Sequence, residues 1–226
     1  MSTKEFYDQP HRYPKHIVLD FIYRPLARFQ TSRSQLVCQL TQGGGRFLDI
    51  GCGNGDLLFM LGGKYRELYG VDIAIRMVER IKAEAGTDSN IKVSVQDANV
   101  RLDFENGFFD TVVAIAMLEH VFDPYSFIRE CYRLLAPGGI VIIDVPNVAW
   151  MPRRLSLLFG QFPSTSHDHG WDGGHLHYFT RASMKKLLTD EGFKVVQITS
   201  CGIFAGPRRV WGSLLAADLA IVGTKP

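Results

Sequence analysis

Residues 47–55 place an apolar run directly before glycines at every second position, Gly51, Gly53 and Gly55. The pattern predicts a buried strand that stops abruptly and leads into a helix near Asp56. Glycines there let the chain turn tightly and let a ligand lie against bare backbone. A strand, a glycine loop and a helix N-terminus in this order indicate a nucleotide-type ligand site at the switch point of a parallel sheet.

The glycine spacing separates two classes of ligand. A dinucleotide site has the spacing G-x-G-x-x-G, with the third glycine where the helix begins and the pyrophosphate lies on the helix dipole. Counted from Gly51, that position is Asp56, whose negative charge would repel a pyrophosphate. This weighs against a nicotinamide-dependent reductase. The observed spacing is G-x-G-x-G, with Asp49 two residues upstream.

Two more acids end the next strand-like segments. Residues 68–73 include Asp72, 21 residues after Gly51, where a carboxylate can accept hydrogen bonds from the two ribose hydroxyls of a nucleoside. A third segment ends in Asp97. A single aspartate after a strand is most often a turn former or a helix cap. Three acids in order, at Asp49, Asp72 and Asp97, instead favour one ligand site.

These motifs resemble those of the class I S-adenosylmethionine (SAM) methyltransferases, in particular type 11 and type 12 members, over roughly residues 40–200. The resemblance implies SAM as cofactor and S-adenosyl-L-homocysteine as product. A cationic sulfonium and an ammonium group suit an acidic loop. The resemblance also implies a set of cofactor-binding residues: Asp49, Gly51, Cys52, Gly53, Gly55, Asp72, Ile73, Asp97, Ala98, Ala114 and Met117.

Segments before residue 147 alternate between strand-like and helix-like patterns, which predicts a doubly wound, mostly parallel α/β sheet. Residues 75–85 have the period of an amphipathic helix, and residues 108–116 form an apolar strand suited to the sheet centre. Pro124 begins a further helix. The Pro-Gly-Gly cluster at 137–139 is expected to end it before a strand over residues 140–145.

The C-terminal part is predicted to complete this sheet. Thr180 is expected to cap a helix over residues 181–190. Strands over residues 193–200 and 218–224 follow. The resemblance implies that the sheet has seven strands and an antiparallel edge strand.

Two segments lie outside the core of the cofactor domain, which we place at residues 46–226. Residues 1–45 carry an apolar helical pattern and are predicted to form an N-terminal helical lid. Binding of this segment to a membrane surface is the weaker alternative, because its basic residues are scattered. Residues 147–179, inserted after the fifth strand, are predicted to form a substrate cap, since insertions at this edge of a parallel sheet commonly bind substrates.

Residues 116–124 resemble the same segment of the type 11 methyltransferases and of the ubiquinone-biosynthesis O-methyltransferases. His120 is a candidate general base that removes a proton from an acceptor hydroxyl, and Glu119 is a candidate to orient it or to help hold a metal. The quinone-pathway enzymes have another glutamate where this chain has Ala116, which weighs against a metal and against that pathway. The alternative is that His120 packs and forms only local hydrogen bonds.

The inserted segment also contains four histidines and two aspartates within eleven residues, 167–177. Their spacing is H-x-H on a loop, unlike the i, i+4 pair that presents metal ligands from a helix. Methyl transfer from a sulfonium requires no metal, so we predict no metal site. A plain surface loop is the alternative to a substrate-facing one. The predicted substrate-binding residues are His169, His175, His177 and Tyr178.

The composition weighs against several function classes. Lys and Arg number 25 against 23 Asp and Glu, so no strong field favours nucleic acid or an anionic membrane. The four cysteines lack C-x-x-C spacing, which argues against a zinc site or a disulfide framework and suits a reducing compartment. With no signal-like segment and no apolar run of membrane-spanning length, the chain is predicted to be cytoplasmic.

We therefore expect an enzyme that transfers the SAM methyl group in line to an oxygen, nitrogen or carbon atom of a small-molecule acceptor. Residues 146–160 and 175–180 also resemble the methionine-biosynthesis protein W group. That resemblance leaves a second hypothesis open, a non-catalytic SAM-fold protein that regulates a partner enzyme. The acceptor and the oligomeric state do not follow from the sequence.

Overall fold

The computed structural model describes residues 30–87, 89–166, 171–203 and 211–226. Its strands are β1 (Gln30–Thr31), β2 (Gly44–Ile50), β3 (Tyr65–Asp72), β4 (Ile91–Val95), β5 (Phe109–Ile115), β6 (Leu135–Pro146), β7 (Lys194–Thr199), β8 (Gly202–Ile203) and β9 (Asp218–Thr224). Its helices are α1 (Arg33–Leu40), α2 (Asp56–Met60), α3 (Ile75–Ala85), α4 (Pro124–Leu134), α5 (Met151–Leu158), α6 (Arg181–Asp190) and α7 (Gly212–Leu215).

Seven strands form the main sheet, in the order β4-β3-β2-β5-β6-β9-β7. Strands β2 to β6 run parallel, whereas β9 is antiparallel to both β6 and β7. The predicted doubly wound, mostly parallel sheet is confirmed, and β9 and β7 form its antiparallel edge. Strands β1 and β8 pair separately as a two-stranded antiparallel sheet.

Both faces of the main sheet are buried, and alternating side chains of β2 pack on both of them. Leu48 and Ile50 belong to the apolar cluster that includes α4 and α6 side chains. Phe47 belongs to the second cluster, which includes side chains of α2 and α3. Because central strands contribute to both clusters, β5 is almost entirely apolar, as predicted.

Strand β6 begins earlier than the sequence predicts. Leu135 already pairs with Phe109, and pairing resumes with Ile140 opposite Thr111. The Pro-Gly-Gly cluster therefore lies inside the strand as an irregularity in its register, and the N–H of Gly138 donates to Lys225 O at 2.8 Å. A bulge of this kind bends a strand without ending it.

Local side chains explain two of the helix starts. Thr180 caps α6 as predicted, because its hydroxyl accepts from the Ser183 N–H while the Ser183 hydroxyl accepts from the Thr180 N–H. Asp123 caps α4 by accepting from the Tyr125 N–H. Pro124 has no backbone N–H that would need an acceptor, and it occupies the first turn of α4.

The two predicted accessory segments are described only in part. Residues 1–29 of the expected lid lie outside the described residues, and 30–45 hold β1, α1 and the first residues of β2. The sheet thus starts at Gly44, inside the segment assigned to the lid. The insertion after β6 contains α5 and a turn at Trp171–Gly174, and its residues 167–170 lie outside the described ranges. Within the described ranges, no helix combines the length and apolar character that a membrane crossing requires.

Candidate active site

A crevice of about 190 Å³ opens at the carboxyl ends of β2 to β5. Seven of the predicted site residues line it: Gly51, Asp72, Ile73, Asp97, Ala98, Met117 and His120. Five further lining residues were not predicted as site residues: Ile50, Val71, Gln96, Asn99 and Ala116. The parallel strands bring these residues together, because each strand ends at the same edge of the sheet.

The glycine loop turns as the sequence predicts, and two of its glycines have distinct packing reasons. Gly51 has φ +79°, and a Cβ there would lie 2.9 Å from the Met117 sulfur on the crevice wall. Gly55 has φ +78°, and a Cβ there would lie 2.9 Å from Cγ1 of Ile81 in α3. Gly51 is therefore required for close approach at the crevice, and Gly55 for packing of the loop against α3.

The Asp72 carboxylate is held on the crevice wall by two backbone donors. Its Oδ2 accepts from the Gly53 N–H and its Oδ1 from the Ala74 N–H, each at 2.8 Å. The first bond connects the glycine loop to the end of β3. Each carboxylate oxygen has a second lone pair, so this orientation leaves acceptor capacity for a ligand hydroxyl.

Five predicted cofactor residues do not line the crevice: Asp49, Cys52, Gly53, Gly55 and Ala114. Asp49 is only 3% exposed, and burial, together with the charge of Asp72, raises its pKa to about 7. Ala114 lies fully buried within β5. Cys52 is buried too, and burial raises the pKa of its thiol, so it is an inert side chain in this loop.

Strand β4 ends at Val95, earlier than predicted, because Asp97 closes a turn. Its Oδ1 accepts from both the backbone N–H and the side-chain amide of Asn99, each at 2.9 Å. The Asn99 side-chain oxygen accepts in turn from the Phe122 N–H at 2.8 Å. Asn99 thereby ties the Asp97 turn to the segment that follows His120.

Ala116 occupies an unusual backbone conformation on the crevice wall. Its φ is +50°, in a region that non-glycine residues seldom adopt, and its N–H donates to Asp144 O at 2.9 Å. The kink directs the chain from β5 into the 3₁₀ turn Leu118–His120. An alanine carries no sequence signal for positive φ, so the pattern could not reveal this position.

Glu119 and His120 meet the insertion beside the crevice. The Glu119 carbonyl accepts from the N–H groups of Leu176 and His177, at 2.8 and 3.2 Å. The rings of His120 and His175 lie edge to face, with centroids 4.7 Å apart. The insertion is thus attached to the turn that carries both predicted catalytic residues.

A chain of hydrogen bonds orients His175. Its Nδ1 lies 2.6 Å from Thr165 Oγ1, and that hydroxyl lies 2.6 Å from Asp172 Oδ2. Burial alone would raise the pKa of Asp172, but hydrogen bonds from Ser164, Thr165 and Ser166 together lower it to about 2. Asp172 is therefore a stable carboxylate that anchors the chain.

Of the other predicted substrate residues, His177 is half-buried, with Nε2 3.3 Å from Phe122 O. The Tyr178 ring packs against Phe162, and its hydroxyl is buried without a hydrogen-bond partner among the described residues. His169 lies outside the described residues. The structure therefore brings His175 to the predicted catalytic turn and leaves the contacts of the others with substrate as predictions.

A partly buried charge cluster that the sequence did not reveal lies at the ends of β6 and β9. Arg33 of α1 places Nε 3.0 Å from Asp144 Oδ1 and Nη2 2.9 Å from Asp218 Oδ1. Asp144 is 1% exposed, and burial raises its pKa well above the usual range even though Arg33 opposes the shift. The three residues are far apart in sequence, so no local motif marks them.

Comparison with known proteins decides the family. Residues 22–198 match the model of the family described as Methyltransferase domain. This chain belongs to that family. The methyltransferase is 25% identical over 183 residues to a ubiquinone biosynthesis O-methyltransferase from Psychrobacter arcticus, in an alignment that covers 78% of this chain and 70% of the relative.

Solved structures agree in fold. A SAM-dependent methyltransferase from Mesorhizobium loti superposes with a TM-score of 0.63 at 20% identity, over 84% of this chain and 95% of that one. Phosphoethanolamine N-methyltransferase 2 from Haemonchus contortus, in complex with SAM, gives a TM-score of 0.67 at 17% identity, over 100% of this chain and 60% of that one. These structures confirm the fold. The family model and the curated relative confirm the resemblance to SAM-dependent methyltransferases, and family membership favours the enzyme over the non-catalytic alternative.

Proposed function

We propose that this methyltransferase binds SAM in the crevice and transfers its methyl group to a small-molecule acceptor on the side of His120 and the insertion. The observation that carries the proposal is the Asp72 carboxylate, which two backbone N–H groups hold on the crevice wall. A carboxylate fixed in this way can accept from paired ribose hydroxyls without further ordering.

The charge of the crevice supports a cationic ligand. Its lining includes Asp72 and Asp97 and, among the described residues, neither lysine nor arginine. A diphosphate would meet two carboxylates and no opposite charge, whereas a sulfonium and an ammonium group would be attracted. Gly51 contributes bare backbone where a side chain would collide with Met117. These residues fit SAM better than a dinucleotide.

When bound, SAM would supply a methyl group on a leaving group that is already activated. Asp72 would hold the ribose, and Asp97 with the Ala98 N–H would hold the adenine. The chain's own contribution to the rate is alignment of the acceptor and exclusion of water. His120, which lines the crevice, would accept the acceptor's proton on its imidazole.

An oxygen acceptor has the most support among the three atom types. The relative from Psychrobacter arcticus is named for O-methylation in ubiquinone biosynthesis. A hydroxyl acceptor must lose a proton during transfer, and a histidine beside the crevice meets that need. Nitrogen and carbon acceptors remain the alternatives for an acceptor screen with labelled SAM.

Calorimetry with SAM tests the cofactor proposal. Asp72→Asn keeps the side-chain shape but removes the charge and replaces one acceptor oxygen with a donor. We therefore expect at least about 100-fold weaker SAM binding. The matched control is Asp190→Asn, an exposed aspartate of α6 that bonds only Lys186 and Tyr125. Equal SAM affinity of the Asp72 and Asp190 variants would overturn the proposal.

A further inference from the structure

Three side chains of metal-binding types converge beside the crevice. One potential ligand atom from each of Glu119, His120 and His175 lies within 4.8 Å of the others. Glu119 and His120 come from the 3₁₀ turn after β5, and His175 comes from the insertion after β6. The expectation of no metal rested on the spacing within the insertion, on Ala116 in place of a glutamate and on the chemistry of methyl transfer. None of these gives information about residues that the fold brings together.

The Glu119 carboxylate is buried. It is 1% exposed, and neither of its oxygens has a hydrogen-bond partner among the described residues. Its Oε1 lies 3.9 Å from His175 Nε2, too far for a hydrogen bond. Buried polar atoms in native proteins are nearly always satisfied, and an unsatisfied carboxylate indicates an ion or a water that completes the site.

The hydrogen-bond chain behind His175 fixes which ring nitrogen can bind an ion. The Thr165 hydroxyl has one proton and donates it to Asp172 Oδ2. The 2.6 Å contact between Thr165 Oγ1 and His175 Nδ1 is then a bond in which Nδ1–H donates. Nε2 is then the ring nitrogen through which His175 would bind an ion, and it is the atom that lies 3.9 Å from Glu119 Oε1.

The separation of the Glu119 and His175 side chains suits an ion between them. Oxygen and nitrogen ligands lie about 2.0–2.2 Å from Zn²⁺, so two tetrahedral ligands are about 3.4 Å apart. The observed 3.9 Å is close to that separation. Ligating histidines commonly donate their other N–H to a fixed acceptor, as His175 does to Thr165.

We propose that Glu119, His120 and His175 form a binding site for one divalent transition-metal ion, with Zn²⁺ as the best candidate. Two imidazoles and one carboxylate suit Zn²⁺ and its first-row neighbours, whereas Mg²⁺ and Ca²⁺ prefer oxygen ligands only. Three protein ligands leave a further coordination position for water or substrate. Without an ion, a proton satisfies the carboxylate, because burial raises the pKa of Glu119 to about 7.

The catalytic role of the ion rests on the proposed function. An acceptor hydroxyl bound to the ion would lose its proton more readily, and its oxygen would become the better nucleophile. In that state His120 is a ligand and not a base, because an imidazole nitrogen that holds a metal cannot accept a proton. The proton would pass to solvent water.

Metal binding is measured on the full chain after removal of metals with EDTA, by calorimetric titration with Zn²⁺ and by metal analysis after dialysis. We expect one equivalent in the wild type, at least tenfold weaker binding in Glu119→Gln and His175→Asn, and unchanged binding in His177→Asn. His177 is the matched control, since it lies two residues from His175 with Nε2 near Phe122 O. Glu119→Gln is isosteric, and thermal melting checks its folding.

Equal zinc affinities of the wild type and Glu119→Gln would overturn the site. Binding of less than about 0.2 equivalents of zinc by the wild type at saturating Zn²⁺ would overturn it as well. SAM titrations of the same metal-free samples separate this outcome from failure of the proposed function. SAM binding without zinc binding removes the metal site alone. Zinc binding without SAM binding removes the cofactor proposal and keeps the site.

Discussion

The two sides of the crevice are built in different ways. At the ends of β3 and β4, Asp72 and Asp97 are partly exposed, and donors within two residues or in the adjacent loop orient them. At the ends of β5 and β6, Glu119 and Asp144 are 1% exposed, and their charged neighbours come from distant segments. The proposed cofactor side is therefore partly exposed and oriented by local contacts, whereas the carboxylates at the proposed acceptor side are buried and meet partners from distant segments.

This difference has an energetic meaning. Carboxylates that accept backbone hydrogen bonds stay charged with little loss of folding free energy. Buried carboxylates with few bonds are stable only when a cation or a proton compensates them. We expect substitutions on the acceptor side to change stability most and substitutions on the cofactor side to change SAM affinity most.

The largest effect on stability is expected from Arg33→Ala. Removal of this arginine leaves Asp144 buried without its ion-pair partner, which costs about 3 kcal/mol of unfolding free energy. The comparison variant is Arg129→Ala, which breaks an exposed pair with Glu191 and is expected to cost less than about 1 kcal/mol. Urea denaturation at pH 7 measures both, and equal losses would break the distinction between the two sides.

The next effect concerns the pH dependence that Glu119 contributes in the metal-free protein. Its pKa is raised by burial from 4.5 to about 7, so the folded state binds a proton that the unfolded state releases above pH 4.5. The stabilisation is fully present below pH 4.5 and is lost as the pH rises through 7, by about 3 kcal/mol at about 1.4 kcal/mol per pKa unit.

Glu119→Gln should remove that slope. Denaturation of both proteins in EDTA between pH 4 and 8 gives the difference, in which the contribution of Asp49 cancels. A difference that does not change with pH would show that Glu119 titrates normally. Saturating Zn²⁺ should lessen the wild-type loss, because the ion favours the carboxylate.

His120→Gln tests the base in the metal-free enzyme. We expect kcat to fall about 100-fold, equivalent to about 2.7 kcal/mol, because proton removal slows, while SAM affinity stays within threefold. Restoration of part of kcat by added imidazole would support the base. Turnover equal to the wild type would leave His120 a packing residue and would not affect the cofactor site.

The smallest expected effect is that of Gly51→Ala on SAM affinity, a loss of about tenfold or about 1.4 kcal/mol. Residue 51 has φ +79°, which strains an alanine there. The added Cβ would lie 2.9 Å from the Met117 sulfur, so Met117 must move at the crevice wall. Gly63→Ala is the matched control, since a Cβ there has nothing within 4 Å. Equal affinities of the two variants would mean that the loop backbone does not approach the cofactor.

The sequence predicted the cofactor side better than the acceptor side. The turn of the glycine loop and the position of Asp72 at the end of β3 follow from neighbours in the chain, and the structure has both. The Thr180 cap of α6, outside the crevice, is a local feature of the same kind. The sites of Arg33, Asp144 and Asp218 depend on contacts across more than 70 residues, which no local pattern encodes. Even a local cue failed at residues 137–139, where pairing with neighbouring strands outweighs the turn preference of Pro-Gly-Gly.

Asn99 connects the two sides through a single amide group, which bonds Asp97 with its nitrogen and the Phe122 backbone with its oxygen. Evolution of a new acceptor preference can therefore replace residues 119, 120 and 175 while the nucleoside-binding turn keeps its position, provided that residue 99 retains both a donor and an acceptor. Position 99 thus couples the geometry of the Asp97 turn to that of the segment after His120.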